Sequence, residues 1–420
     1  MAPSALVEAA SFEPTIASST IKTGVPSGLK VIDPSKLDLR SDEEIAAWLQ
    51  EPHPITSEKN VWAFWHTGYA NMRPWVRRNI FNWVRRLGSD WTVHLLDKVP
   101  GSKTNICNYV ESSYFPDAFN DGTMDGPSVG PHSGDLIRLP LLWKYGGVWI
   151  DAGTFLFRNL DDICWKQIDD PATPYEMAGF VIEIRPGVDC MLNGFIAAKR
   201  GNPFIKRWHD IYVALWEGVT NAQGFHKHPL LRHLPLLCPP LDKLNCPNLN
   251  MMMESFSDYL AAFMCFERLR KLIDPSDGFN GPEYYSNHML LFPALQETYY
   301  FQQQTHWSGT RQFELLTARR TGEGVVKDET WQAAEAFVTD ALANTATMKL
   351  SHGAGAFESF LADLWDSEEH EDKDHAEDTF AAYLRYGSVH FDQTREMVPI
   401  KMGWPTEEVL TCGVLTPKEM

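Results

Sequence analysis

Two carboxylates, Asp135 and Asp151, stand near the two ends of the run HSGDLIRLPLLWKYGGVWIDAGTF (132–155). Carboxylates can take a proton from an attacking group, pair with a guanidinium, or hold a hard divalent cation against phosphate oxygens. Which of these is open to them depends on how the chain presents them. The pattern predicts an apolar helix over 133–145, capped by His132 or Ser133, with Asp135 in its first turn where the helix dipole favours an anion. Gly146 and Gly147 suit a left-handed helix stop. The strand that follows, 148–150, is apolar on both faces and so reads as central. Asp151 then sits at its carboxyl end, the edge at which open α/β sheets bind ligands. Taken singly, each aspartate also fits a bland role, as a helix-end carboxylate or a turn residue; the combination favours a site. Ser133 beside His132 reads as a cap rather than a nucleophile, because chain neighbours rarely share triad geometry.

A second feature is the acid-free stretch from Lys59 to Ser89, which carries Arg73, Arg77, Arg78, Arg85 and Arg86, with five Trp between 62 and 91. Arg77, Arg78, Arg85 and Arg86 fall opposite the apolar stripe of their helix, which predicts an outward basic face suited to phosphate backbones and stacked bases, or simply a solvated helix face. Weaker candidates are His66, just after a strand, and Glu183, at a strand end. HKH (226–228) with His233 lacks a matching carboxylate or Cys set, and Met251–Met253 reads as core or a flexible patch. DKD (372–374) lies inside an acidic run, 363–378, of nine acids and one Lys, which reads as a solvated loop or helix face.

The elements that must position these residues alternate. VWAFWHTG (61–68), a strand running into a Thr-Gly turn, a helix opened by Pro74 and closed by Gly88, and strand 91–97 make a β-α-β unit, hence a parallel sheet. Further strands are expected at 177–184 and 194–198, helices at 203–217, 255–272 and 328–344, and a strand-like TMKLSHG at 347–353. The domain reading is a disordered N-terminus plus short helix (1–58), a catalytic domain (59–355), and an acidic run with a C-terminal tail (356–420). Disorder is expected over 1–30, and Ser41 and Glu44 have capping-box spacing for the short helix. The seven cysteines form no CxxC pair. With no signal-peptide pattern, no N-x-Ser/Thr site and no apolar run of the ~18–20 residues a membrane span needs, the expectation is a cytoplasmic protein without membrane or DNA partners.

The run SGDLIRLPLLWKYGGVWIDAG resembles the signature of GT-A-fold sugar transferases of the capsular-polysaccharide-synthesis, DXD type. The likeness extends to VWAFWHTG, LNGFIAAKRGNPFIKRW and KLSH, spanning about 60–355. It implies an α/β, Rossmann-like, mostly parallel sheet flanked by helices, with irregular C-terminal additions. It further implies that Asp135 and Arg138 line a donor-nucleotide pocket, that Asp151 holds a divalent cation (Mg²⁺ or Mn²⁺), and that Lys349 and His352 reach the phosphates. Gly153 stands where the last carboxylate of Asp-x-Asp belongs, Gly134 is an extra residue and Pro140 interrupts the helix, so a cation at Asp151 is left open and no cofactor is required.

The chain is also similar to a group of fungal proteins that includes natural-product glycosyltransferases and arginine-containing cyclodipeptide synthases. The absence of an anchor, Gly153 and the Arg/Trp-rich helix tilt the expectation to the second branch. That branch is an aminoacyl-tRNA-dependent synthase joining arginine, from Arg-tRNA, and a second amino acid, from another aminoacyl-tRNA, into a diketopiperazine. On that expectation Asp135 and Asp151 are catalytic. His66, Arg138, Glu183, Lys349 and His352 contact substrate, and Arg77, Arg78, Arg85 and Arg86 bind tRNA. The alternative is a glycosyltransferase using a nucleotide sugar, and a third reading is a catalytically dead binding protein on the same fold.

Overall fold

The computed structural model describes residues 24–244, 252–353 and 359–419. The expected disorder of 1–30 falls largely on residues outside that range, as does Met251 of the methionine run; Leu29–Val31 is a short strand paired antiparallel with Phe391–Gln393. The frame is a six-stranded sheet. Its strands are β1 (Asn60–Phe64), β2 (Thr92–Leu96), β3 (Gly147–Ile150), β5 (Met177–Arg185), β6 (Val188–Ala198) and β7 (Met289–Pro293), while β4 (Thr154–Leu156) and β8 (Thr347–Lys349) form a separate antiparallel pair. The sheet order is β7-β5-β6-β3-β1-β2. The β7–β5, β3–β1 and β1–β2 pairings are parallel; β6 runs against both its neighbours. This is the α/β, mostly parallel architecture expected. The two strands expected at 177–184 and 194–198 are one hairpin, with bulges at Gly179/Val181 and Glu183/Arg185.

The main helices are α1 (Pro74–Leu87), α2 (Val129–Tyr145), α3 (Pro203–Ala214), α4 (Glu329–Asn344) and α5 (Phe380–His390). Pro74 and Pro203 open their helices at positions that need no N–H donor, and Asn202 caps α3 through the N–H groups of Phe204 and Ile205. The capping box at Ser41 and Glu44 forms as expected. Helix α2 differs from expectation: it begins at Val129, so His132, Ser133 and Asp135 lie inside it and are buried, and the dipole argument for Asp135 does not apply. The Gly130-Pro131 pair reads as a breaker in sequence. In a first turn, however, neither residue needs to donate an intrahelical hydrogen bond. The helix also continues through Pro140.

Gly146 and Gly147 end α2 with φ of 68° and 103°. A Cβ on Gly147 would lie 2.3 Å from the Asn60 carbonyl oxygen, so the turn into β3 closes against β1 only without side chains. The Gly146 carbonyl accepts from the buried Trp62 indole at 2.9 Å, which locks helix end to strand. β3 lies between β1 and β6 and all four of its residues are buried. Val148, Trp149 and Ile150 are buried, and each contributes about 25 cal/mol per Å² of apolar surface removed from water.

The four arginines of α1 do not form an outward basic face. Arg86 is buried and donates to the carbonyls of Ser388 (2.9 Å) and Phe391 (2.7 Å) and pairs with Asp392 at 3.2 Å. Arg78 pairs with Asp374 (Nε–Oδ2 2.9 Å), Arg85 pairs with Asp42, and Arg77 bonds the Ala70 carbonyl and lies over the Tyr69 ring. The acidic run is correspondingly not wholly solvated. Asp374 is buried between Arg78 and Arg385, while Glu368, Glu369, Glu371, Asp372, Glu377 and Asp378 stay exposed. Arg78 and Arg86 of α1 thus hold the C-terminal segment, while Arg77 and Arg85 bond residues that precede the helix. A helix with those guanidiniums engaged internally presents no ladder of free cations to a nucleic-acid backbone.

Candidate active site

β3 ends at Ile150 and delivers Asp151, whose N–H donates to the Gly194 carbonyl of β6 at 2.8 Å. The chain then turns into β4, and β8 docks on it with Lys349 opposite Thr154. That pairing brings Lys349 Nζ to 2.8 Å from Asp151 Oδ2. From α2, Asp135 and Arg138 face the same point: Arg138 Nη2 lies 2.8 Å from Asp135 Oδ1 and 3.6 Å from Asp151 Oδ1. The result is an alternating quartet, Asp135–Arg138–Asp151–Lys349, at the carboxyl edge of the central strands.

Each member is held by further groups. Asn193 donates to Asp135 Oδ1 at 2.8 Å and its carbonyl accepts from Arg138. The Tyr212 hydroxyl reaches Asp135 Oδ2 at 3.4 Å. Trp149 donates its indole N–H to Asp151 Oδ1 at 2.8 Å and carries the Arg138 guanidinium over its ring at 4.9 Å. Gly194 is required by close approach: a Cβ there would lie 2.6 Å from Lys349 Nζ and 2.8 Å from Asp151 Oδ2. Asn193, Gly194, Trp149 and Tyr212 were not singled out from sequence. The available signal was an Asn-Gly pair inside an apolar strand, which marks a close backbone or side-chain approach.

The electrostatics differ between the two carboxylates. Burial raises the Asp135 carboxyl above its ordinary value, with Arg138 opposing. Burial acts on Asp151 in the same direction, but Lys349 and Arg138 outweigh it and bring its pKa down to about 2. Burial disfavours the Lys349 ammonium, and the Asp151 carboxylate beside it more than compensates, so the ammonium is held above its usual range. Asp151 and Lys349 therefore stand as a formed ion pair at neutral pH.

The other expected residues are placed as follows. His352 stands three residues beyond Lys349 and bonds Asp366 Oδ2 at 3.0 Å; Asp366 also accepts from the Trp75 indole at 2.8 Å. His66, after β1, is half-buried, and its Cβ lies 3.8 Å from where a Cβ on Gly130 of α2 would be. Glu183 is bound to Lys243 (2.8 Å to Oε2) and to the Gly187 N–H, apart from the quartet. His226 of the HKH run pairs with Asp258 at 2.6 Å, and among the described residues no group of three or more His, Cys, Asp or Glu side chains could hold a metal.

A divalent cation at Asp151 does not fit this donor set. Oδ2 is taken by Lys349 and Oδ1 by Trp149 with Arg138 behind it, so two cations already neutralise the carboxylate. Asp135 is itself engaged by Arg138, Asn193 and Tyr212. The position of the missing carboxylate is tight as well: a Cβ on Gly153 would meet the Leu350 carbonyl oxygen at 3.1 Å and the Trp75 ring at 3.4 Å.

Residues 36–225 match the family described as capsular polysaccharide synthesis protein. An O-glycosyltransferase of Annulohypoxylon truncatum, braB, is 74% identical over 95% of this chain and 96% of its own. The glycosyltransferase afumC of Aspergillus fumigatus is 46% identical over 89% of this chain and 96% of its own, and the O-glycosyltransferase PaGT of Phomopsis amygdali is 40% identical over 93% and 97%. These relatives overturn the expectation of a cyclodipeptide synthase, and with it Arg-tRNA and a second aminoacyl-tRNA as partners. The internal engagement of Arg77, Arg78, Arg85 and Arg86 removes the structural ground for the same expectation. No helix among the described residues is long and apolar enough to cross a membrane. With such identity over nearly the full length of both chains, the protein belongs to the glycosyltransferase-like family that carries the capsular-polysaccharide-synthesis pattern.

Proposed function

We propose that the protein transfers a glycosyl group from a nucleotide sugar to a hydroxyl of an acceptor. The observation that carries this reading is the Asp135–Arg138–Asp151–Lys349 quartet, buried at Asp135 and Arg138 and open at Asp151 and Lys349, at the carboxyl edge of the parallel strands; the names of the relatives support it. In such a transfer the bond from the anomeric carbon to the diphosphate oxygen breaks and the electron pair leaves with the diphosphate. A new bond forms to the acceptor oxygen, whose proton passes to solvent. Negative charge grows on the leaving diphosphate, and preorganised cations in a water-poor site stabilise it strongly.

Lys349 and Arg138 are the groups placed to do this. Arg138 is fixed by Asp135, Asn193 and Trp149, so little reorganisation is needed when phosphate oxygens arrive. Asp151 keeps Lys349 charged and aimed, and Asp135 does the same for Arg138; we read both as positioning residues. His352, held by Asp366 at the exposed side, is placed to meet the donor from the β8 end.

The test is incubation of the purified protein with UDP-glucose, UDP-N-acetylglucosamine and GDP-mannose, reading the released nucleoside diphosphate. Release by the wild type, and its loss in a folded Arg138→Met variant, is the expected result. A folded wild-type protein that neither binds nor cleaves any nucleotide sugar would overturn the reading.

A further inference from the structure

Resting on that transferase reading, we infer that the protein handles its diphosphate donor without a divalent cation, the Lys349 ammonium occupying the place a metal would take between Asp151 and the phosphates. Three independent features of the chain lead there. The first is occupancy: Lys349 Nζ sits 2.8 Å from Asp151 Oδ2, as close as a charge-assisted hydrogen bond allows, and Trp149 fills Oδ1. The second is the crowding of position 153, where a Cβ would lie 3.1 Å from the Leu350 carbonyl oxygen and 3.4 Å from the Trp75 ring, so that a second ligand carboxylate would need these neighbours to give way. The third is the glycine at 194. Any side chain there would strike both Lys349 Nζ and Asp151 Oδ2, so the sheet edge is cut back at the one point that lets ammonium and carboxylate meet.

Hard divalent ions need several oxygen donors free of competing cations, and a carboxylate bracketed by an ammonium and a guanidinium is a poor ligand for them. The same two cations are good partners for phosphate oxygens, Arg138 through its planar fork and Lys349 as a point charge. The charge that a metal would supply is thus built into the fold, carried into place when β8 docks on β4. Lys349 is anchored at both ends for this: its N–H donates to the Thr298 carbonyl at 3.1 Å and its own carbonyl accepts from Gln302 at 2.7 Å.

The two alternatives give opposite signs for one substitution. If Asp151 is a metal ligand, Asp151→Asn abolishes nucleotide binding. If it is the counter-ion of Lys349, Asp151→Asn removes a negative charge from beside the phosphates and leaves the ammonium free for them, so binding tightens. Calorimetric titration with UDP, GDP and ADP, each in EDTA and in manganese chloride, reads this directly. For the nucleotide that binds, the affinities with and without manganese should agree within about twofold. Asp151→Asn should bind severalfold tighter, while Lys349→Met should bind on the order of tenfold weaker, with Lys349→Arg recovering most of it. Thermal unfolding of each variant confirms that it is folded.

Binding that requires manganese, a manganese electron-resonance signal from the bound ion, and loss of binding in Asp151→Asn would overturn the inference and leave the transferase reading intact. No nucleoside diphosphate binding under either condition would overturn both.

Discussion

Replacing Asp374 by Asn tests the internal clamp between α1 and the acidic run. The side chain is fully buried and pairs with Arg78 at 2.9 Å and with Arg385. Burial alone would lift its carboxyl, but Arg385 and Arg78 hold it well below the usual carboxylate range. Removing one partner of a buried ion pair costs about 3–5 kcal/mol, because the remaining charge is left uncompensated. Arg385 keeps the Asn79 side chain at 3.2 Å and the carbonyls of Trp75 (3.2 Å) and Asp374 (2.9 Å), which argues for the lower end of that range. Unfolding 420 residues at about 2.1 cal/mol/K per residue carries about 0.9 kcal/mol/K, so the melting temperature should fall by about 3–5 °C. Differential scanning calorimetry at pH 7 measures this. A carboxylate with a depressed folded pKa contributes stability that is present above its unfolded value of about 3.9 and is lost as pH falls through the folded value. The gap between wild type and Asp374→Asn should therefore be widest at neutral pH and narrow below about pH 4. A variant that melts within about 1 °C of wild type at pH 7, where several times that is expected, would refute the clamp at Asp374.

Gly194→Ala should fold, since β6 accepts a β-carbon elsewhere, yet force Lys349 away from Asp151; nucleotide-sugar cleavage should drop on the order of a hundredfold while the melting temperature moves little. His352 is raised above its ordinary value by its hydrogen bond to Asp366, which outweighs partial burial, so its imidazole should titrate above pH 6.5 by NMR and fall back in Asp366→Asn. Filter binding of bulk tRNA should show no salt-sensitive complex at about 50 mM salt, because a steep salt slope needs several free phosphate-binding cations; a tight complex lost in Arg78→Met would reopen that question.

What could be read from sequence followed locality. The β-α-β unit from Asn60 to Leu96, the glycine stop after Tyr145 and the delivery of Asp151 by an apolar strand all depend on near neighbours, and all are present. The start of α2 was misplaced because Gly130 and Pro131 look like breakers anywhere except a first turn. Lys349 entered only through resemblance, since nothing within TMKLSH announces that it pairs with a residue almost two hundred positions earlier. Asn193 and Gly194 were hidden for a different reason. They sit mid-strand, where a polar-small pair weakens the strand signal, and so β6 read as 194–198 alone, starting at Gly194 and leaving out residues 188–193.

The two clusters of cationic groups illustrate why charge composition misled. Along α1, arginines at one face looked free because their partners, Asp374 and Asp392, lie about three hundred residues away. A net charge of −18 makes such pairing the default: with 55 acids against 37 Lys and Arg, the average cation finds an anion inside the fold. What distinguishes Lys349 is therefore not that it is unpaired, since it is paired with Asp151, but that its carboxylate partner is open to solvent. In the Arg78–Asp374 pair the carboxylate is fully buried although Arg78 is 19% exposed, whereas Asp151 keeps 25% and Lys349 22% of the side chain exposed. A pair open on one side can exchange its internal anion for a phosphate at little cost in desolvation. That opening selects for an anion small enough to enter the quartet over an extended polyanion, which must also meet the repulsion of a chain of net charge −18.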